Sequence, residues 1–360
     1  MSGLDQPIVI ANSCYHVGHE RSVRVAEDQG FFKEEGLEPY LIDRGGLVPA
    51  EWEHEALGRQ MWERGVDIAT AVTVRAAIAQ RARGEDVYIV GGWRIQLATK
   101  LIGAKGITRP EQLRGGRSIT REKGGMLHAG ILAALRTFGV GPRDVEWMEG
   151  TRDPAAEQRG ADLLRSGEVT FLSVVGGPEA DRLISEGYPV VLDVEEFFKS
   201  IGPWPPGSVI VATKQTIEDR GEALRAFLRA NLRAYWFVED PRNHAYMFDL
   251  ENRMRQATLN HYERHVVRML DAPTPTPRAH RTGYRAWGEM VLDGLVQPPA
   301  LAPVIDAMVK SGELEHPVKV DDVLKDAASI DAYEQLVSRG LLDLPTIARW
   351  RGALGVTSVI

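Results

Sequence analysis

The stretch Ile8-Val9-Ile10-Ala11-Asn12-Ser13-Cys14-Tyr15-His16-Val17-Gly18-His19 decides how the chain is read. It opens as an apolar run with β-branched residues, the signature of a buried strand. It closes in small polar residues around the single cysteine of the chain. A helical pattern follows at once, with Val23, Ala26, Gly30 and Phe31 on one face and Lys33-Glu34-Glu35-Gly36 as its stop. Strand end, polar turn and helix start is where open α/β sheets take ligands. Cys14, His16 and His19 are therefore candidates for the mouth of a binding site. The competing reading of Cys14 is a small buried filler.

Outward from this stretch the alternation continues. Residues 38–43 read as a strand ending at Arg44-Gly45-Gly46, a loop that lets a ligand approach the backbone. Residues 51–63 read as a helix carrying His54 and closed by Arg64. Residues 65–73 give a strand and a small polar turn around Thr70, followed by a helix over 76–83. Residues 86–93 form a strand that ends at Trp93. Strands alternating with helices predict a mainly parallel sheet.

A second unit begins with a strand at 101–104 and a short helix with its turn over 109–117. Residues 118–120 lead to Glu122-Lys123-Gly124-Gly125 and a long helix from Met126. A strand at 145–148 and a helix at 155–166 follow. Residues 169–178 then pass from an apolar strand through Val175, Gly176 and Gly177 into a helix, repeating the pattern of 65–76. The two segments are expected at matching positions of two similar lobes that face each other across a cleft. Residues 202–207, with Trp204, read as the return crossing. Residues 208–212 give one more strand, and helices are expected over 223–238, 242–254, 259–270, 284–292, 301–310 and 332–339. The expected fold is thus a two-lobe α/β clamshell: lobe I over 1–100 plus 208–360, with a helical C-terminal extension, and lobe II over 101–207.

The 360 residues exceed one compact core, and a hydrophobic fraction of 44% with 26% charged residues fits a globular protein. A net charge of −7 with scattered basic residues argues against nucleic acid and anionic membranes as partners. One cysteine cannot form an internal disulfide. Residues 1–7 have neither a basic region nor an apolar core of signal-peptide length, so a cytoplasmic location is expected.

Residues 26–37, 64–92, 107–117 ("ITRPEQLRGGR"), 167–187 and 223–243 together resemble the substrate-binding proteins of ABC importers with the type II periplasmic-binding fold. The resemblance is to the branch of nitrate, sulfonate and taurine binders and thiamine-pyrimidine synthase proteins. That branch also contains soluble aryl-sulfinate desulfinases, which remove sulfite from an aromatic sulfinate without a cofactor. Asn12-Ser13-Cys14 is similar to their strand-end Ser-Asn-Cys with the two polar residues exchanged, and His54 and Arg64 match the spacing of their His and Arg. The resemblance implies a catalytic set of Cys14, His54 and Arg64 and no cofactor. Where the family has Arg-x-Gly-Gly this chain has Arg64-Gly65-Val66-Asp67, which points to a different substrate.

The chemistry is coherent in these residue types. A sulfinate or carboxylate suits a planar, fixed cation such as Arg64. Expelling it from a ring requires protonating the ring carbon, and a thiol tuned by a histidine can donate that proton or attack as a nucleophile. Trp52, Trp93 and Trp204 are candidates to pack a flat substrate. His16, His19, Arg44, Gly45, Thr70, Glu122, Gly124, Gly125, Val175 and Gly176 complete the expected lining. Arg64 as a solvated helix-end charge and His54 as a surface residue remain the competing readings. Cys14, His16, His19 and His54 match no standard zinc spacing, and His261 with His265 lack the glutamate of a zincin. Gly45-Gly46, Gly91-Gly92, Gly124-Gly125 and Gly176-Gly177 are neither a P-loop nor a dinucleotide motif and read as close-approach turns lining the cleft. Two functions follow: a cofactor-free enzyme cleaving an anionic group from a small aromatic molecule, or a binding protein for a small organic anion. The cysteine-rich motif of the pyrimidine synthases is missing.

Overall fold

The computed structural model describes residues 7–12, 17–41, 62–63, 65–94, 99–120, 126–149, 156–175, 178–194, 196–197, 207–247, 249–250, 253, 290–310 and 312–353. These fall into two compact units, the first within Met1–Ile95, Pro203–Pro277 and Glu289–Ile360, the second within Gln96–Gly202. In chain order the first unit starts with β1 (Val9–Asn12), α1 (Val17–Asp28), α2 (Phe31–Glu34), β2 (Tyr40–Leu41), β3 (Ile68–Thr73), α3 (Val74–Ala82) and β4 (Val87–Arg94). The second unit holds β5 (Thr99–Gly103), a 3₁₀ turn at Pro110–Leu113, β6 (Gly116–Thr120), α4 (Met126–Thr137), β7 (Val145–Glu149), α5 (Ala156–Ser166), β8 (Phe171–Val175), α6 (Pro178–Ser185) and β9 (Val190–Asp193). The chain then returns to the first unit with β10 (Ser208–Thr213), α7 (Lys214–Asp219), α8 (Gly221–Glu239), α9 (Pro298–Lys310), α10 (Val320–Val323), α11 (Ala327–Ser338) and α12 (Leu344–Ala353).

Each unit is built on a five-stranded sheet, in the order β2-β1-β3-β10-β4 and β7-β6-β8-β5-β9. In the first, β1 is parallel to β2 and β3, and β10 runs against β3 and β4. In the second, β6 is parallel to β7 and β8, and β5 runs against β8 and β9. The reversed strand is fourth in both orders, and it is always the first strand after the chain changes unit. The segments 65–76 and 169–178, alike in sequence, become β3–α3 and β8–α6, and their strands hold the third place in each sheet. This is an α/β fold of two mixed sheets with flanking helices.

Local chemistry sets the strand-to-helix turns of the first unit. Thr73 ends β3 and caps α3, its hydroxyl accepting from the Ala76 N–H at 3.2 Å. Thr213 ends β10 and caps α7 in the same way, accepting from the Thr216 N–H at 3.1 Å. Such caps are worth about 1 kcal/mol each. One face of the sheet packs Ala11, Ala69, Val72, Ile89 and Val211 against Ala77 and Ile78 of α3 and Leu301, Ile305 and Met308 of α9. The other face is covered by α1 and α8, which pack against each other.

Two expectations need correction. Residues 290–292 were expected to end a helix, but they lie beside β4: the Val291 N–H donates to the Trp93 carbonyl and the Gly92 N–H to the Gly294 carbonyl. Gly91-Gly92 was expected to be a turn lining a cleft, but both residues lie inside β4. The close approach is to the chain itself. A Cβ on Gly91 would stand 2.7 Å from the Ser329 hydroxyl, and one on Gly92 would stand 2.8 Å from the Leu295 carbonyl oxygen.

Candidate functional site

Strands β1 to β4 point the same way, so their carboxyl ends share one edge of the first sheet, the edge where open α/β sheets take ligands. At that edge Asn12 stands in register with Thr70. The pairing of β3 with β10 slips there. Val72 faces Val209 and Ala69 faces Val211, which leaves Thr70 and Ala71 opposite Ile210 alone. This is a β-bulge, and Ala71 carries it at φ 57°, the only positive φ outside glycine among the described residues. The left-handed conformation costs alanine roughly 1–2 kcal/mol. Bulges of this kind re-aim a side chain next to a site.

Thr70 shares this bulge with Ala71. Ala11 and Ala69 point into the core shared with α3 and α9, so Thr70, alternating with Ala69, points to the face under α1 and α8. It is 0% exposed, and its hydroxyl makes no hydrogen bond among the described residues. A buried hydroxyl left this way costs about 1–3 kcal/mol.

The layer between the sheet and the α1–α8 pair is unusually polar. The Trp93 indole N–H donates to the Ser22 hydroxyl at 3.0 Å, pinning α1 to the end of β4. The Tyr235 hydroxyl donates to the Gly92 carbonyl at 3.1 Å and accepts from the Asn231 amide at 2.7 Å. Burial pushes the Tyr235 phenol well above its ordinary range, so it stays protonated and keeps donating. The Asn231 Oδ1 makes no hydrogen bond. Arg21, beside Ser22 on α1, is 1% exposed. The layer thus joins a hydroxyl donor and an amide acceptor, and the helix that covers it carries a buried cation.

The expected site residues divide as follows. Thr70 lies inside β3, level with the carboxyl end of β1, and Trp93 lies next to the carboxyl end of β4. Trp93, expected to pack a flat substrate, is fully buried and serves instead to hold α1 on the sheet. Val175 ends β8 in the second sheet, and His19 lies in α1. Cys14, His16, Arg44, Gly45, His54, Arg64, Glu122, Gly124, Gly125, Gly176 and Trp204 lie outside the described residues, as does Trp52. Asp67, which breaks the Arg-x-Gly-Gly pattern, is structural. Its carboxylate accepts from the Val9 N–H at 2.7 Å and the Thr216 hydroxyl at 3.1 Å, and pairs with Arg220 at 2.6 Å.

Arg21 and Asn231 were not singled out from the sequence. For Asn231 a signal exists: Leu224, Leu228, Asn231 and Tyr235 recur at steps of three and four, so a polar residue interrupts a buried stripe. Arg21 carries no comparable mark, because its burial follows from the packing of α1 on the sheet.

The second unit also buries polar atoms beneath the helix after its second-placed strand. Ser118 on β6 is in register with Trp147 on β7, and His128 of α4 meets the Trp147 ring at 4.6 Å between centroids. The Ser118 hydroxyl and the Trp147 indole N–H make no hydrogen bond among the described residues. Among the described residues no group of three or more His, Cys, Asp or Glu side chains could hold a metal ion, and no helix is long and apolar enough to cross a membrane.

A family model described as NMT1/THI5 like matches residues 21–244. A search of curated protein sequences finds no match. Among solved structures, the periplasmic aliphatic sulphonate binding protein SsuA from Escherichia coli is similar over 89% of this chain and 92% of its own, with a TM-score of 0.59 and 13% identity. A putative periplasmic sulfonate-binding SsuA from Methylobacillus flagellatus KT is similar over 95% and 98%, with a TM-score of 0.60 and 14% identity. The desulfurization enzyme DszB is similar over 92% and 99%, with a TM-score of 0.53 and 13% identity. Its serine-for-cysteine mutant, in complex with biphenyl-2-sulfinic acid, has the same TM-score of 0.53. At these identities the likeness shows the fold, the periplasmic-binding-protein-like two-lobe architecture.

Proposed function

Because the chain belongs to the NMT1/THI5-like family, we propose that it binds a small organic sulfur oxyanion, a sulfonate or sulfinate, at the carboxyl edge of its first sheet. Thr70 carries the reading. A strained bulge holds its hydroxyl in a buried layer without a hydrogen bond among the described residues, and a ligand oxygen is an acceptor that would satisfy it. The sulfonate-binding names of the SsuA neighbours and the biphenyl-2-sulfinic acid bound to the DszB mutant support this ligand class.

The test is calorimetric titration of wild type and Thr70→Val with alkanesulfonates and aryl sulfinates. Valine keeps the shape and removes the hydroxyl. Ligand-free Thr70→Val should be more stable than wild type by about 1 kcal/mol, since an unsatisfied polar group disappears. Its ligand affinity should fall about tenfold, the worth of one charge-assisted hydrogen bond. Unchanged affinity in Thr70→Val would remove Thr70 from the site.

A second reading adds turnover, and the sequence position of Cys14 supports it, two residues after the last residue of β1. In a desulfinase-like reaction the aryl C–S bond breaks, the ring carbon takes a proton, and water supplies the oxygen that completes sulfite. The Cys14 thiol is the proton donor or nucleophile in this reading, tuned by His54. An aryl carboxylate losing CO₂ would use the same proton delivery. Arg64, given the anion by the resemblance, is not needed for the contact with Thr70.

A further inference from the structure

We propose that Arg21 supplies the positive charge for the bound oxyanion and makes the site select an anion over a neutral molecule of the same shape. The inference rests on the oxyanion reading above. Arginine is among the residues least often buried, yet Arg21 is enclosed to 1% exposure. The turn that carries it has a fixed place. Its neighbour Ser22 accepts the Trp93 indole N–H at 3.0 Å, and Trp93 lies near the end of β4. Arg21 therefore stands at the carboxyl edge of the first sheet, on the helix that covers the face toward which Thr70 points.

The Thr70 hydroxyl, fully buried and without a hydrogen bond among the described residues, is the independent observation. It marks a donor on this face of the sheet that no acceptor among the described residues meets. A sulfonate or sulfinate brings two or three acceptor oxygens and one negative charge. A guanidinium has five N–H donors in a planar fork, so one edge can serve the protein while another faces a ligand oxygen. A buried cation is also worth more to an anion than an exposed one, because water screens the pair less. A neutral sulfone has acceptor oxygens for Thr70 but no charge for Arg21, and that difference is the selectivity.

The experiment titrates the full chain with benzenesulfinate and with methyl phenyl sulfone, its neutral analogue, by calorimetry. Wild type, Arg21→Gln and Arg21→Lys are compared, with folding checked by circular dichroism and thermal unfolding. Wild type should prefer the sulfinate. Arg21→Gln should lose about 100-fold in sulfinate affinity, the scale of a removed buried charge partner, with sulfone affinity held within about threefold. Arg21→Lys should keep the preference with weaker binding, since it keeps the charge and loses the fork. If wild type binds neither sulfinate nor sulfonates, the oxyanion reading itself fails. If wild type binds and a folded Arg21→Gln binds the sulfinate equally well, this inference alone is overturned. Should Arg21→Gln not fold, the ¹⁵N-arginine spectrum of wild type decides. The Arg21 side-chain N–H resonance, assigned by its loss in Arg21→Lys, shifts at saturation with benzenesulfinate or, by staying fixed, overturns the proposal.

Discussion

At the scale of single residues, the unusual positions of the first sheet lie together. Thr70 is left without a hydrogen bond and Ala71 is held at φ 57°, side by side in one bulge. Either departure alone costs stability; together they are what a ligand contact asks of a strand end. Ala71 offers a direct test of stored strain. Glycine adopts its conformation freely, recovering roughly 1–2 kcal/mol, and loses about 0.5–1 kcal/mol through the more flexible unfolded chain. Ala71→Gly should therefore gain about 0.5–1 kcal/mol in urea unfolding. Ala71→Val should lose about 2 kcal/mol, because a β-branched residue is strained there and the site is closed. A loss in Ala71→Gly would show that the bulge stores no strain.

At the scale of elements, the α1–α8 layer stays in place through groups far from the proposed ligand. Glu35, just past α2, is the hub. It accepts from Arg229 of α8 at 2.7 Å and from Arg339, just past α11, at 2.8 Å, while Arg233 of α8 reaches it at 3.4 Å. Arg229 also donates to Gln335 of α11 at 2.8 Å. One buried carboxylate thus ties α2, α8 and α11 together. Burial pushes its pKa up, but the hydrogen bonds and charges of Arg229 and Arg339 outweigh that and hold it below the ordinary value of 4.5. A carboxyl lowered in the folded state stabilises above its unfolded pKa, and that contribution fades as pH falls through the folded value. Arg229→Met should cost about 3 kcal/mol at pH 7, since Glu35 stays buried with fewer partners. The mutant should also lose less further stability than wild type as pH drops below about 4.5. Urea unfolding across that range reads both effects, and parallel pH curves would rule Glu35 out as the titrating group.

At the scale of the whole molecule, the likeness of 65–76 and 169–178 was legible because strand, small turn and helix each leave a short-range signature. The third place both strands take in their sheets follows from it. The partners of Gly91 and Gly92 were not legible: Gly294, Leu295 and Ser329 lie some two hundred residues away and nothing local marks them. Residues 290–292 misled because a short apolar run fits a helix or an extended strand edge equally well. At the site, Thr70 was expected around a strand-end turn and lies inside β3 instead, while Arg21 is exceptional only once α1 is packed. The bifurcation between binder and enzyme belongs to this scale, since the same two-lobe fold carries SsuA and DszB. Cys14→Ser separates them. The change removes one sulfur and adds no bulk, so it should shift stability by no more than about 1 kcal/mol. A hydroxyl is a far weaker acid and nucleophile than a thiol, so a desulfinase-like enzyme should lose nearly all sulfite release from aryl sulfinates. Its affinity for the sulfinate should stay within about threefold of wild type, because the proposed site holds the anion through Thr70 and Arg21. A pure binding protein would release no sulfite in either form. Full sulfite release in Cys14→Ser would leave the binding site standing and take the thiol out of the chemistry.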